Sequence, residues 1–235
     1  MNRRELFIWG AFAIIFLCIL FLTFHQRAAD SRRKKEGEEF YRRAMGKFDP
    51  VEYHSQRAYA FDAEHSFKLA AEEYKKLLEL KPEDKDLHSH LGATYYKMGM
   101  KDQAMAEIEE VLRLDPSNWV QRESLGDIYV EKGDAEEAIR QYERALGINP
   151  GNALCNSKLG RLYYTREDYS SAVRAFKRSL EIDPGLGESH LGLGLSYCAL
   201  GDREGASAEM KKLEDLKKGD MAAQLSEAIV RMDAP

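Results

Sequence analysis

The chain has 235 residues, 35 of them basic and 40 acidic, for a formal net charge of −5. The first 35 residues hold seven of the basic and two of the acidic groups, so the remainder carries a net charge of −10. An acidic body argues against a general binder of the nucleic-acid phosphate backbone. Three scattered cysteines (Cys18, Cys155, Cys198) with no C-x-x-C pair support neither a zinc knuckle nor a thioredoxin-like site.

Residues 1–5 form a short tail. Residues 6–24, LFIWGAFAIIFLCILFLTF, carry no charge. As a helix rising about 1.5 Å per residue they reach about 30 Å, the depth of a bilayer core. A transmembrane helix is therefore expected over 6–24, with the lipid bilayer as one partner. A cleaved signal peptide is the rival reading. It is disfavoured because the apolar run exceeds the usual signal core and Arg27-Ala28-Ala29 is a poor cleavage context. Arg3 and Arg4 precede the span, whereas Arg27, Arg32, Arg33, Lys34, Lys35, Arg42 and Arg43 follow it. That excess places the C-terminal side in the cytoplasm. The expected protein is single-pass, in a bacterial inner membrane, with its body cytoplasmic; a periplasmic body is the alternative. Residues 25–50 read as a basic, charged stalk, interrupted by Gly46 and Asp49-Pro50. Its Arg32-Arg33-Lys34-Lys35 cluster sets topology and is compatible with contact to anionic headgroups.

Beyond the stalk a pattern recurs every 34 residues. Leu-Gly-x-x-Tyr appears as Leu91, Gly92, Tyr95, then Leu125, Gly126, Tyr129, then Leu159, Gly160, Tyr163, then Leu193, Gly194, Tyr197. An alanine follows at a fixed phase (Ala104, Ala138, Ala172, Ala206), then a large apolar residue (Ile108, Tyr142, Phe176, Met210). Pro82, Pro116, Pro150 and Pro184 close the units. Such a period marks a solenoid, in which each unit buries its apolar face only against its neighbours.

In the unit 119–152, Leu125, Ile128 and Tyr129 share one helical face. Gly133 supplies a left-handed C-cap, and Asp134-x-x-Glu137 reads as a capping box opening a second helix. The apolar face of that helix is expected to be Ala138, Tyr142, Ala145, Leu146 and Ile148, with Asn149-Pro150 ending it. Gly126 and Ala138 are expected at the crossing of the two helices, where a larger side chain would hold them apart.

These residues resemble the tetratricopeptide repeat (TPR) family, whose pattern is Trp-x2-Leu-Gly-x2-Tyr, Ala-x3-Phe, Pro. The resemblance covers about residues 51–218 and implies an all-α, right-handed α-solenoid of helix-turn-helix repeats. The units are a degenerate repeat at 51–84, then 85–118, 119–152, 153–186 and 187–218, with a capping helix in 219–235. His88, Arg122, Asn156 and His190 stand at the family's tryptophan position, and Arg57-Ala58 replaces Leu-Gly in the first unit.

In that family the first helices line a concave groove that receives a peptide or a partner's helix. Carried onto this sequence, the groove takes Ser89, His90, Tyr96 and Lys97 from the second unit. Glu123, Asp127 and Glu131 come from the third, Lys158, Arg161 and Tyr164 from the fourth, and Leu195 from the fifth. Ala93, Ser124, Ser157, Leu191 and Cys198 flank them. Its character would pass from mixed, through acidic, to basic, to apolar. The carboxylate clamp of chaperone-tail receptors is not matched, because Glu123 and Asp127 would repel a carboxylate. That also weighs against an organelle import receptor.

Catalytic signatures are absent. Gly185-Leu-Gly187 and Gly192-Leu-Gly194 superficially resemble phosphate loops but reach His190 and Tyr197 where a sixth-position glycine is needed. There is no H-E-x-x-H and no Walker lysine, and His88 and His90 point to different helical faces. No enzyme, cofactor, metal, nucleic acid or small-molecule substrate is expected. The expected function is a membrane-tethered scaffold or adaptor. Through its groove it binds a peptide or helix of a membrane-associated partner, and so assembles, recruits or stabilises a membrane or envelope complex. The alternatives are a permanent accessory subunit of a larger membrane complex and a periplasm-facing envelope assembly factor.

Overall fold

The computed structural model of the protein describes residues 49–232. The tail, the span at 6–24 and most of the stalk lie outside them. Among the described residues no helix is long and apolar enough to cross a membrane. Eleven helices account for the described chain, with no strand among them: α1 Pro50–Ala63, α2 Phe67–Leu80, α3 Lys85–Lys97, α4 Lys101–Leu114, α5 Trp119–Lys132, α6 Ala135–Ile148, α7 Ala153–Thr165, α8 Tyr169–Ile182, α9 Gly187–Ala199, α10 Arg203–Asp215 and α11 Gly219–Arg231.

The chain divides into two compact units, 1–57 and 58–235. In the first, Asp49-Pro50 opens α1 rather than breaking a helix. Proline at the first helical position loses no hydrogen bond, and the Asp49 side chain accepts from the Val51 amide at 3.0 Å. The second unit is an all-α solenoid. Within it α3 packs on α4, α5 on α6, α7 on α8 and α9 on α10 as hairpins. Each hairpin then stacks on the next, and α11 packs on both α9 and α10.

The repeat is visible in burial. Ala70, Ala104, Ala138, Ala172 and Ala206 recur at one phase, and each is 0% exposed. They sit where two helix backbones approach. A Cβ placed on Gly92 would lie 3.3 Å from the Glu107 Cβ and 3.5 Å from the Ala104 carbonyl oxygen. On Gly126 it would lie 2.5 Å from the Tyr142 ring. Ala58 takes the glycine phase in the degenerate unit and is fully buried.

Caps set the helix starts. Asp134, Asp168 and Asp202 accept from Glu137, Ser171 and Gly205 amides, and Asp84, Asn118 and Asn152 do the same for α3, α5 and α7. The capping box at Asp134 is only half formed. Asp134 Oδ1 accepts from Glu137 N at 3.1 Å, while the Glu137 carboxylate turns outward to Arg140 and Gln141. Two expectations about the α6 face need correction. Ile148, in the last turn, is 41% exposed, and Ile139 and Gln141 are buried instead.

The turn joining each pair of helices also repeats. Gly99, Gly133 and Gly201 have φ of 74°, 80° and 77°. The same phase holds His65 and Glu167, at φ 59° and 62°. A left-handed non-glycine residue costs about 1–2 kcal/mol, and glycine's extra unfolded-state freedom offsets part of that. Glu167→Gly is therefore expected to stabilise the chain by roughly 0.5–1 kcal/mol, read as a higher urea midpoint. An unchanged or lower midpoint would contradict it.

Candidate protein-binding face

Consecutive first helices are joined by side-chain contacts one repeat apart, and these contacts run through the groove residues. Gln121 Nε2 donates to Ser89 Oγ at 3.2 Å. The Tyr96 hydroxyl donates to Glu131. Lys97 Nζ reaches Asp62 at 2.8 Å. Lys158 Nζ reaches Glu123 and Asp127, each at 2.8 Å. The structure thus brings α3, α5 and α7 together along one face.

The electrostatics differ from the sequence expectation. Acidic and basic zones are not separate, because Lys158 lies between the two carboxylates. Glu123 also accepts from Asn152 Nδ2 at 2.7 Å, and Asp127 accepts from the Tyr142 hydroxyl at 2.6 Å. Burial pulls the Lys158 ammonium down, but its hydrogen bonds to Asp127 and Glu123 outweigh this and hold its pKa above the usual lysine value. Tyr142 is pushed well above the usual phenol by burial first and the Asp127 bond second. Glu123, Asp127 and Lys158 therefore brace the stack, and the Lys158 charge is already matched, with two carboxylates sharing one ammonium. Glu131 accepts from Tyr96 and pairs with Lys101 at 2.9 Å. These two bonds lower its carboxyl pKa.

The remaining groove residues divide between packing and open surface. The His90 ring stacks on Tyr74 with centroids 5.5 Å apart and meets Tyr59 edge-on at 5.4 Å, while its Nδ1 faces the Asp86 carbonyl at 2.6 Å. Tyr164 meets Tyr169 edge-on at 5.4 Å. Arg161 is exposed and makes no ion pair or side-chain hydrogen bond among the described residues. With Tyr164 and Leu195 it lines a cavity of about 290 Å³ between α7 and α9. Ser157, Phe176, Glu188, Leu191 and Gly192 complete the lining. Glu188, Phe176 and Gly192 were missed as site residues, although their phases were readable. Gly192 occupies the position held by His90, Ser124 and Lys158 in earlier repeats.

The residues in the family's tryptophan position do a different job, away from this face. His88 places Nδ1 2.7 Å from Glu107 and Nε2 3.0 Å from the Pro82 carbonyl. His190 repeats this with Glu209 at 2.5 Å and the Pro184 carbonyl at 3.0 Å. Arg122 donates to the Pro116 carbonyl at 3.0 Å. Each ties a first helix to the turn before it.

Both ring nitrogens of His88 face acceptors, so the doubly protonated ring satisfies both. Burial opposes that charge, but the bonds to Glu107 and the Pro82 carbonyl prevail, and the pKa is raised. A raised pKa stabilises the fold fully below the unfolded value of about 6.5, and this contribution is lost as pH climbs through the folded value. The destabilisation by His88→Asn is therefore expected to be larger at pH 6 than at pH 8.5 in urea unfolding. A pH-independent difference would contradict this.

Neither of the described cysteines, Cys155 and Cys198, is an activated thiol. Cys155 is fully buried, and burial pushes its thiol up to about 12; burial also raises Cys198.

Comparison with known proteins agrees with this geometry. Models described as TPR repeat or tetratricopeptide repeat match residues 65–99 with 126–166, residues 86–118, and residues 157–220. Among solved structures, a crystal structure of MamA aligns over 79% of this chain and 97% of its own, at 22% identity and a TM-score of 0.65. MamA from Desulfovibrio magneticus RS-1 (residues 41 to the end) aligns over 73% and 97%, at 18% identity and 0.66. YrrB, described as a TPR protein with an unusual peptide-binding site, aligns over 80% and 97%, at 22% identity and 0.65. At these identities the likeness shows the fold. A search of curated protein sequences returns no match. Taken with the 34-residue phase of its buried alanines, the family matches show that the chain belongs to the tetratricopeptide repeat family.

Proposed function

We propose that the protein is a non-catalytic, membrane-tethered scaffold or adaptor. Its row of first helices binds a peptide or helix of a protein partner and so assembles, recruits or stabilises a membrane or envelope complex. The observation that carries the binding role is the unequal state of the first-helix face. From α3 to α7 most of its charges are matched by neighbours one repeat away, which gives a braced surface. Toward α9 it turns apolar and keeps an exposed, unpaired Arg161. A preformed surface loses little freedom on binding, which favours recognition. The peptide-binding site in the description of YrrB supports a peptide-like ligand here.

The tether rests on the uncharged run 6–24. Confinement at a membrane raises the effective concentration of the repeats for partners held there. Deletion of residues 1–35 followed by partner recovery tests this. The deletion is expected to reduce recovery while leaving the repeats folded. Unchanged recovery would remove tethering from the mechanism. A C-terminal alkaline phosphatase fusion that is active would place the repeats outside the cytoplasm and reverse the proposed orientation.

A further inference from the structure

We infer that the cavity between α7 and α9 is the anchor point of the binding face. It takes one bulky apolar side chain of a partner segment, and an acidic residue of that segment pairs with Arg161. This rests on the scaffold reading above and names the ligand chemistry for it.

The cavity arises from substitutions peculiar to the last repeat. At the phase of Ser89, Glu123 and Ser157 the fifth repeat has Leu191, and at that of Ala93, Asp127 and Arg161 it has Leu195. At the phase of His90, Ser124 and Lys158 it has Gly192. With no side chain at 192, the Phe176 ring closes against the backbone; a Cβ there would collide with the ring. The floor is therefore Phe176, Leu191, Leu195 and the Tyr164 ring, while the phase of Leu191 holds the polar Ser89, Glu123 and Ser157 in the repeats before it.

These walls are held in place. Leu191 and Leu195 pack behind on the cluster of Leu213, Leu225 and Ile229, and Phe176 packs with Ala172 and Leu193. The volume, about 290 Å³, is at the lower edge of the range of small-molecule pockets and is large enough for a leucine- or phenylalanine-sized group.

Charge decides the flanks. Arg161 on α7 and Glu188 on α9 both line the cavity, are exposed, and make no ion pair with each other or with any other described residue. Lys158, one turn before Arg161, is already matched by Glu123 and Asp127. Arg161 is thus the cation left for a ligand on this stretch of the face, and its complement is a carboxylate. Glu188 repels a second carboxylate on the opposite side, so it gives the bound segment a direction.

The test uses the full-length chain and short Gly/Ser peptides carrying photoleucine at the centre, flanked on one side by Asp or by Lys. Covalent capture on irradiation, mapped by mass spectrometry, is expected to favour the Asp peptide and to fall on α7 and α9. Leu195→Ser is expected to reduce capture roughly tenfold, the order set by losing burial of one apolar side chain. Arg161→Glu leaves the fold intact, because Arg161 has no partner to lose, and is expected to switch preference to the Lys peptide. Capture indifferent to the flanking charge, or an Asp preference unchanged in Arg161→Glu, overturns the inference and leaves first-helix recognition standing. Capture mapping to the second helices overturns the binding-face reading as well.

Discussion

Shortening Leu225 to alanine is expected to destabilise the solenoid by about 2–5 kcal/mol. Leu225 is 0% exposed and forms a cluster with Ala206, Leu213, Ala222 and Ile229. Its side chain lies directly over Gly194, close enough that a Cβ on that glycine would clash with it. The lost methyl groups would leave a cavity between α9 and α11 that small neighbours cannot fill. In a stacked array the terminal helix covers the last apolar face, so the effect extends to Leu191 and Leu195, which lean on the same cluster. Urea unfolding, with midpoint and slope both fitted, checks this. A loss below about 1 kcal/mol, small for a buried Leu→Ala, would mean that α11 adds little to the stack.

Ala138→Leu is the second large effect, expected to cost about 1–3 kcal/mol by overpacking. Ala138 is fully buried where α5 crosses α6, and on that crossing Gly126 has the Tyr142 ring against its Cα. A leucine has no open side to turn to. Displacing Tyr142 would also break its hydroxyl bond to Asp127, which helps hold Lys158. The substitution should therefore lower the melting temperature. An unchanged temperature would contradict the close crossing, and the matching alanines 104 and 172 provide replicate sites.

How much could be read from the chain depends on the scale of the interaction. The hairpins and their crossing points were legible because steric demands repeat every 34 residues: a glycine or alanine where backbones meet, and a left-handed residue at the turn inside each hairpin. The face that meets a partner was legible as a set of positions but not as a chemistry. Lys158 looked like part of a basic zone, yet it is neutralised by Glu123, 35 residues away, and Asp127, 31 away. Such pairing depends on side-chain reach across a helix interface, which no periodicity encodes. The cavity escaped notice for the opposite reason. It is made by a missing side chain at Gly192 and by Phe176 from a second helix, and first-helix spacing alone does not bring the two together. The histidines at the tryptophan phase, His88 and His190, were readable as positions in the repeat. Their link to the preceding proline carbonyls appears only when the turn is built.

Photo-crosslinking in intact membranes tests the central claim most directly. A photoreactive residue at Tyr96 or Arg161, on the first-helix face, is expected to yield a covalent adduct with a partner protein. The same residue at Arg144, exposed on α6, is expected to yield none. Adducts from Arg144 alone, with none from Tyr96 and Arg161, would contradict the account and move partner binding to the second helices.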